Sequence, residues 1–524
     1  MAKTFTPLES WQGRHWAFDQ KIEGMYECRA HELNVAGYKE ATKDFQDMIA
    51  EAIKTKKTLR AMGSSWSLSK VGVTNHRLIS SKNLGLSLAP DGDYVDPNYT
   101  GDPTKIRFFE CGYTIGEINV ELKKEGLSLK ASGSNNGQSL PGVVSTNTHG
   151  SAYKFGATPD FVVGIHLITG PDTHVYLERE SYPVVTEKFT DALGVKRERH
   201  DQWFEAALVS FGSFGIIQGM MIEARPLFLL HLSRKFRSFD PALEQAITSL
   251  DFSGFTGYFQ ELEQQALERN GFPVTCTPDT LYHFQVTVSP NQAKPGKRPD
   301  KAAVFFGFEG PYREDYQRPP ISEGQMGPGA SGLELIGNLF SLTPGPLKKF
   351  VKDQLNAQIE KLFQYEYSGV FQEIFRGEVT KGKVFASGIG IPLSRGLEVL
   401  DIALRTYETF DIVMPVLFTM RFVKATRALL GFTKFEPTCV FEIDGINTQD
   451  MQEYASLVWE RIEQENIPYA MHWGKFNFIL NSDRLKNMYG ANREKWIESR
   501  EQLLKPEVRQ VFTNDFLRRV GLDT

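Results

Sequence analysis

Leu140-Pro-Gly-Val-Val-Ser-Thr-Asn-Thr-His-Gly-Ser151 is the stretch from which the rest of the chain is read. Gly142 and Gly150 bracket it, and Ser145, Thr146, Thr148 and Ser151 crowd small hydroxyls between and beside them. Glycine has no Cβ to keep a ligand off the backbone. Hydroxyls and successive amides can hydrogen-bond a phosphate or the edge of a heteroaromatic ring. Alone, the stretch could equally be a polar loop of any enzyme. Two others weigh against that: Arg60-Ala-Met-Gly-Ser-Ser-Trp-Ser-Leu-Ser69 upstream and Phe211-Gly-Ser-Phe-Gly-Ile-Ile217 downstream.

The totals narrow the class. A chain of 524 residues exceeds one typical core, so two or more domains are expected. Hydrophobic residues at 41% and charged residues at 23% are ordinary for a soluble globular protein. Net charge −5 argues against a nucleic-acid or anionic-membrane partner. Cys28, Cys111, Cys276 and Cys439 form no C-x-x-C pair, which fits a reducing compartment, and a cytoplasmic location is expected. No apolar signal core opens the chain, and no run of about 18 apolar residues could cross a membrane. No histidine or cysteine spacing suggests a metal, and no G-x-G-x-x-G follows an N-terminal strand. The 38 Phe residues are expected in the core or along a lipophilic pocket.

Helical spacing over Tyr38–Lys56 runs into a short strand, Leu59–Met62, and then the Gly63 turn. Strands are expected at His76–Leu84, Ile106–Cys111, Phe161–Thr169 and Met220–Ala224, with helices at Ile115–Glu125 and Phe204–Val209. Gly133-Ser-Asn-Asn-Gly137 reads as a turn. Beyond Pro226, strands at Phe284–Val288 and Val304–Phe308 and a helix at Leu355–Phe363 are expected. Residues 310–350, rich in Gly and Pro, read as a loop over the site or a surface insertion.

The three stretches together resemble the flavin-binding domain of the vanillyl-alcohol-oxidase superfamily, the FAD-linked oxidases. The first resembles that family's R-x-x-G-x-x-H-S loop, the second its S-T-x-T-H-G-x-G segment, and the third its G-S-x-G-I-I segment. Val511-Phe-Thr-Asn-Asp-Phe-Leu517 resembles its F-x-N-x-x-L ending. The resemblance implies an α+β protein in three parts. These are a two-subdomain PCMH-type FAD-binding domain over residues 1–226, an α+β cap with an antiparallel sheet over 227–465, and a return segment over 466–524. It implies that Arg60, Gly63, Ser64, Ser65, Trp66 and Ser67 serve the FAD pyrophosphate loop. Pro141, Gly142, Ser145, Thr146, His149, Gly150 and Ser151 would follow the flavin ring and ribityl chain, and Gly215 and Ile216 would meet the adenine end. For His149 the alternative is a histidine satisfied within its own loop.

Trp66 stands where many members carry the histidine that bonds covalently to FAD. An indole N–H is a donor only and cannot serve as that nucleophile. Non-covalent FAD is expected, with His283 a minor alternative tether. His472-Trp-Gly-Lys475 and Arg421 resemble the sugar-lactone and alditol oxidase branch. This implies that Lys475 lies near flavin and substrate, with a solvent-exposed lysine as the alternative, and that His472 could act as a base. The glutamate that branch carries two residues before the arginine is Thr419 here, which leans the substrate away from sugars toward something lipophilic. Glu442 and Asp444 are possible replacements, or the solvated positions of an alternating strand.

The expected activity is that of an FAD-dependent oxidase. It would move a hydride from an alcohol-type carbon of a small molecule to flavin N5 and pass electrons to O2, yielding H2O2. Pro141-Gly142, which leave room beside the ring, favour oxygen as acceptor. A dehydrogenase using another acceptor and a non-catalytic flavin-binding protein are the alternatives.

Overall fold

Two sheets of different construction precede residue 226. A computed structural model describes residues 2–30, 32–318, 353, 356, 364–375, 383–410 and 413–524. The first sheet has four strands in the order Ala2–Pro7, Gly24–Arg29, Arg77–Asn83, Leu59–Met62, the last three parallel to one another. Helix Val35–Thr55 crosses between the parallel strands. Asn34 caps it by accepting from Gly37 N–H, and Tyr38, Phe45, Met48, Ile49 and Ala52 form its buried stripe. Fully burying a side chain such as Phe45 contributes ~2–3 kcal/mol. The helix therefore docks firmly and delivers the chain into Leu59–Met62 and the glycine turn behind it.

The second sheet has six strands, ordered Lys196–Arg199, His174–Glu178, Val162–Ile168, Ile216–Glu223, Ile106–Glu110, Ser87–Leu88. A hairpin around Gly170 joins two of them. One expectation changes between the sheets. The first half of the Leu140–Ser151 stretch is a short helix, Leu140–Ser145, not a loop. Pro141 sits in its first turn, where a missing N–H costs nothing.

Phe228–Ser238 opens an eight-stranded sheet, antiparallel throughout. Its order is Tyr365–Val370, Phe228–Ser238, Lys301–Pro311, Leu281–Val288, Val416–Val423, Thr438–Ile446, Val384–Pro392, Ala470–Met471. The last pair lies beyond residue 465 yet still bonds to Ile389 and Gly390. One face carries Phe284, Phe306, Phe418, Phe422 and Phe441. These rings stack among themselves and against Phe252, Phe255 and Phe259 and helix Gln449–Gln464, through Tyr454 and Trp459. Much of the phenylalanine is thus spent gluing helices to the sheet. The opposite face holds His283, Gln285, Thr287, Thr419, Arg421, Glu442 and Asp444, since alternate residues share a face and these are cross-strand neighbours. Helix Leu355–Phe363 and most of the Gly/Pro-rich segment lie outside the described residues.

Candidate active site and cofactor cradle

Gly63 and Gly142 face one another across Ser139. A Cβ built on Gly63 would lie 2.6 Å from Ser139 Oγ, and one on Gly142 would lie 3.0 Å from the same atom. Ser139 Oγ is buried and has no hydrogen-bond partner. So are side-chain oxygens of Asn135, Asn136 and Gln138. A buried polar atom without a partner costs ~1–3 kcal/mol. Four in one short turn, beside two glycines whose bare Cα atoms approach one another, fit a polar ligand laid against the backbone. Ser64, Ser65, Trp66 and Ser67 are half-buried on the same rim, and Ser65 adopts a left-handed φ of 65°. The sequence marks Gly133–Gly137 as a turn only, without Gln138 and Ser139. The signal for them was the density of Asn, Gln and Ser immediately before the helix.

Trp66 is enclosed. Its ring lies 2.6 Å from where Gly137 would carry a Cβ, the Arg14 guanidinium sits 4.8 Å from its centroid, and His15 meets it edge-on. The N-terminal arm thus reaches the loop, with Arg14 N–H donating to Ser65 C=O. The segment His472–Lys475 comes in from the other side: Leu68 N–H donates to Gly474 C=O, and Ser69 Oγ donates to Trp473 C=O.

Several expected cofactor residues do other work. Arg60 is buried, and its guanidinium donates to the carbonyls of Gly212 (2.7 Å), Phe512 (2.9 Å) and Val71 (2.9 Å). It ties the glycine loop, the 211–217 stretch and the C-terminal tail together through both terminal nitrogens, while Nε is buried without a partner. Burial, with Arg500 nearby, pulls its pKa down to about 9. Ser151 bonds to the large sheet. Its hydroxyl donates to Phe284 C=O and accepts from Phe422 N–H (3.0 Å), while its carbonyl accepts from Phe284 N–H (3.2 Å). It wedges between two strands of the large sheet and completes their ladder. Thr146 Oγ1 donates to Gly142 C=O within its helix (2.8 Å). Ser145 is buried, with its carbonyl accepting from Phe211 N–H, and Gly150 is half-buried. Gly215 holds a φ of 102° beside the Ile168 carbonyl, and Ile216 pairs with Ile168 inside the six-stranded sheet.

The charged centre forms where the loop, the large sheet and the return segment meet. Glu442 is fully buried (0% exposed), so the solvated-strand reading fails for it, while Asp444 is half-buried. Lys475 Nζ donates to Glu442 Oε1, Arg421 Nη1 lies 3.2 Å from Oε2, and His149 Nε2 lies 3.6 Å from Oε1. Asp444 Oδ1 is 3.6 Å from Lys475. Burial opposes the charge on Glu442, but Arg421 and Lys475, helped by His149, outweigh it and hold its pKa well below the carboxylate range. Asp444 goes the other way: burial raises it more than Lys475 lowers it, and the Glu442 charge adds to the rise. Arg421 Nε also donates to Gln285 Oε1 (3.2 Å).

Burial lowers the pKa of both histidines of the centre. His149 Nδ1–H donates to Gly150 C=O (2.9 Å), and burial lowers its pKa. His472 accepts Gly474 N–H at Nδ1 (3.1 Å), so its own proton rests on Nε2. Burial and the Lys475 charge push its pKa well down. A ring whose free nitrogen already carries hydrogen donates, so the expected role of His472 as a base does not suit this geometry. His283 packs between Phe305 and Phe375 on the large sheet. Among the described residues no group of His, Cys, Asp and Glu could hold a metal ion.

The sequence profile of the ALO family, D-arabinono-1,4-lactone oxidase, matches residues 338–520. Over 491 residues the chain is 23% identical to L-gulono-1,4-lactone dehydrogenase of Mycobacterium tuberculosis, covering 91% of this chain and 93% of that protein. It is 26% identical over 248 residues to D-arabinono-1,4-lactone oxidase of Candida glabrata, covering 46% of this chain and 40% of that one. The match to the Candida albicans enzyme covers 38% and 34%, so it spans less than half the length of these fungal relatives. Among solved structures, cholesterol oxidase of B. sterolicum superposes with a TM-score of 0.63 over 99% of this chain and 97% of that one, at 11% identity. Glucooligosaccharide oxidase of Acremonium strictum gives 0.57 over 99% and 96%, also at 11% identity. The chain is thus similar in sequence to sugar-lactone oxidases and dehydrogenases and shares its fold with cholesterol oxidase and glucooligosaccharide oxidase. The Gly63–Ser139–Gly142 cradle fits a phosphate-bearing ligand. All four cysteines are buried and unpaired, and no described helix is long and apolar enough to cross a membrane.

Proposed function

We propose that the protein is an FAD-dependent oxidase that takes a hydride from a CH–OH carbon of a hydroxylated small molecule and returns electrons to O2 as H2O2. The observation that carries this reading is the buried Lys475–Glu442–Arg421 cluster. It stands on the polar face of the large sheet, at the seam with the His149 loop. Residues 1–226 with 466–524 would hold the cofactor, and 227–465 would hold the substrate. FAD, when bound, supplies the two-electron acceptor. Gly63, Ser64, Ser65, Ser67, Ser139 and Gly142 would hold its phosphate end. Trp66, enclosed by Arg14 and Gly137, would pack against it without a covalent bond.

Lys475 would set a fixed positive charge where negative charge accumulates, the arrangement that contributes most when preorganised in a dry site. Arg421, Gln285 and Thr419 would orient substrate hydroxyls. Asp444, whose raised pKa lies nearer the working pH than an ordinary carboxylate's, suits the alcohol proton better than His472 does. The polar face turns the substrate reading from lipophilic to hydroxylated, and relatives named as aldonolactone oxidases and dehydrogenases support that turn. Because both kinds of relative occur, a non-oxygen acceptor is the second reading.

The test is anaerobic mixing of the yellow protein with D-arabinono-1,4-lactone, L-gulono-1,4-lactone and a long-chain alcohol, followed by aerated buffer. Bleaching by a lactone and fast recolouring are expected. Recolouring only with an artificial dye would favour the dehydrogenase. Bleaching by the long-chain alcohol alone would restore the lipophilic substrate, and bleaching by none would favour a non-catalytic flavoprotein.

A further inference from the structure

Glu442 is a buried carboxylate with cationic or imidazole neighbours from three separate parts of the chain. Arg421 comes from the adjacent strand, His149 from the loop after helix Leu140–Ser145, and Lys475 from the return segment. Directly across the ladder stands Thr419, and on the other side stands Gly388, where a Cβ would press to 3.3 Å from Glu442 Cγ. The small partner on each side leaves Glu442 room to extend toward the lysine. Cross-strand Cβ atoms lie about 4.5–5.5 Å apart, so carboxylates rooted at 419 or at 442 can reach overlapping positions.

The backbone of Lys475 is well held. Trp473 and Phe476 on either side are buried, and Phe476 N–H donates to Ala386 C=O. Its four-carbon stem is not held by backbone, and an ammonium on such a stem is a mobile point charge. Among the described groups, Glu442 accepts the close contact that fixes it, with Asp444 more distant. Without Glu442, Lys475 and Arg421 would share a buried site with one uncompensated charge too many.

We infer that Glu442 is the positioning residue of the active site: it fixes the Lys475 ammonium and the Arg421 guanidinium and takes over from strand Thr438–Ile446 the place of a carboxylate at position 419. This rests on the proposed placement of Lys475 beside the flavin. Glu442 acts through Lys475 and does not itself meet the reacting atoms.

Charge counting and positioning predict opposite signs, which makes the inference testable without a substrate. Sulfite binding to oxidised flavin places negative charge on the ring, so it reports the nearby cation. Removing the Glu442 charge with Lys475 still in place would tighten sulfite. Losing the position of Lys475 weakens it. The holoprotein, its FAD content checked by absorbance, is compared with Glu442→Gln, Lys475→Met and the swap Thr419→Glu with Glu442→Thr.

Expected is at least a tenfold weaker sulfite affinity in Glu442→Gln, approaching that of Lys475→Met, a lower flavin midpoint potential in both, and recovery of most of the loss in the swap. Tighter or unchanged sulfite binding in Glu442→Gln overturns the inference, as does a swap that binds sulfite no better than Lys475→Met or does not fold. If Glu442→Gln does not fold, the swap alone decides. If Lys475→Met binds sulfite normally, the placement of Lys475 fails. If Lys475→Met is weakened and Glu442→Gln is not, only the role of Glu442 fails.

Discussion

Replacing Arg60 by methionine distinguishes a structural tie from a phosphate ligand. The side chain is 1% exposed, and its two terminal nitrogens donate to three carbonyls at 2.7, 2.9 and 2.9 Å. Methionine keeps much of the volume and removes every donor. Each carbonyl left buried without a partner costs ~1–3 kcal/mol. The guanidinium's own burial, which lowers its pKa to about 9, no longer has to be met and offsets part of this. A net loss of ~3 kcal/mol is expected, by the balance used for removing one partner of a buried charged group. In a unit of 150–250 residues that lowers the melting temperature by roughly 6–12 °C. The assay is thermal melting of the FAD-stripped protein, because a phosphate ligand would leave the stripped protein's stability unchanged. An Arg60→Met apoprotein that melts with the unmutated apoprotein, yet binds FAD at least tenfold more weakly, would refute the reasoning and return Arg60 to the phosphate site.

Gly142→Leu should cut FAD affinity at least tenfold, measured by titrating apoprotein with FAD, since a Cβ there already meets Ser139 Oγ at 3.0 Å; full affinity with slowed oxygen reactivity would put Gly142 on an oxygen route instead. Acid precipitation should release the yellow colour into the supernatant, because Trp66 offers no nucleophile; colour in the pellet would point to another tether. Glu110, which burial raises to about 7 from 4.5, binds its proton more tightly in the folded chain. Its stabilising contribution is therefore complete below pH 4.5 and lost as pH rises to about 7, up to about 3 kcal/mol. Glu110→Gln should raise the melting temperature at pH 8 and not at pH 4.5, and an equal effect at both would remove Glu110 as the cause.

The cradle was legible because its signals are local. Gly63, Gly142 and the hydroxyls beside them sit in short contiguous stretches, and the need for bare backbone is written in those residues. The stripe of helix Val35–Thr55 was legible for the same reason: its period is its own. Arg60 was misdirected, since the motif places it beside the phosphate loop and only the packed tail shows its donors turned to Phe512 and Gly212. Ser151 failed likewise, its hydroxyl drawn to two strands more than 130 residues away.

By itself, then, the sequence marked the glycine and hydroxyl segments that the fold brings together beside Ser139, and an antiparallel sheet after residue 226. Only the tertiary structure decided which carboxylate is buried between Arg421 and Lys475 and what the phenylalanines do. In strand Thr438–Ile446 both faces are covered, with Cys439 to Ile443 all buried, so alternation says that Glu442 and Asp444 share a side but not which side meets solvent. That choice belongs to the neighbours. Thr419 and Gly388 make room across the ladder, Arg421 and Lys475 bring the compensating charge, and the phenylalanine face takes the helices. An ionised carboxylate is tolerated in the interior only where such cations already stand. They reach Glu442 through pairings between residues distant in the chain, which no local pattern records.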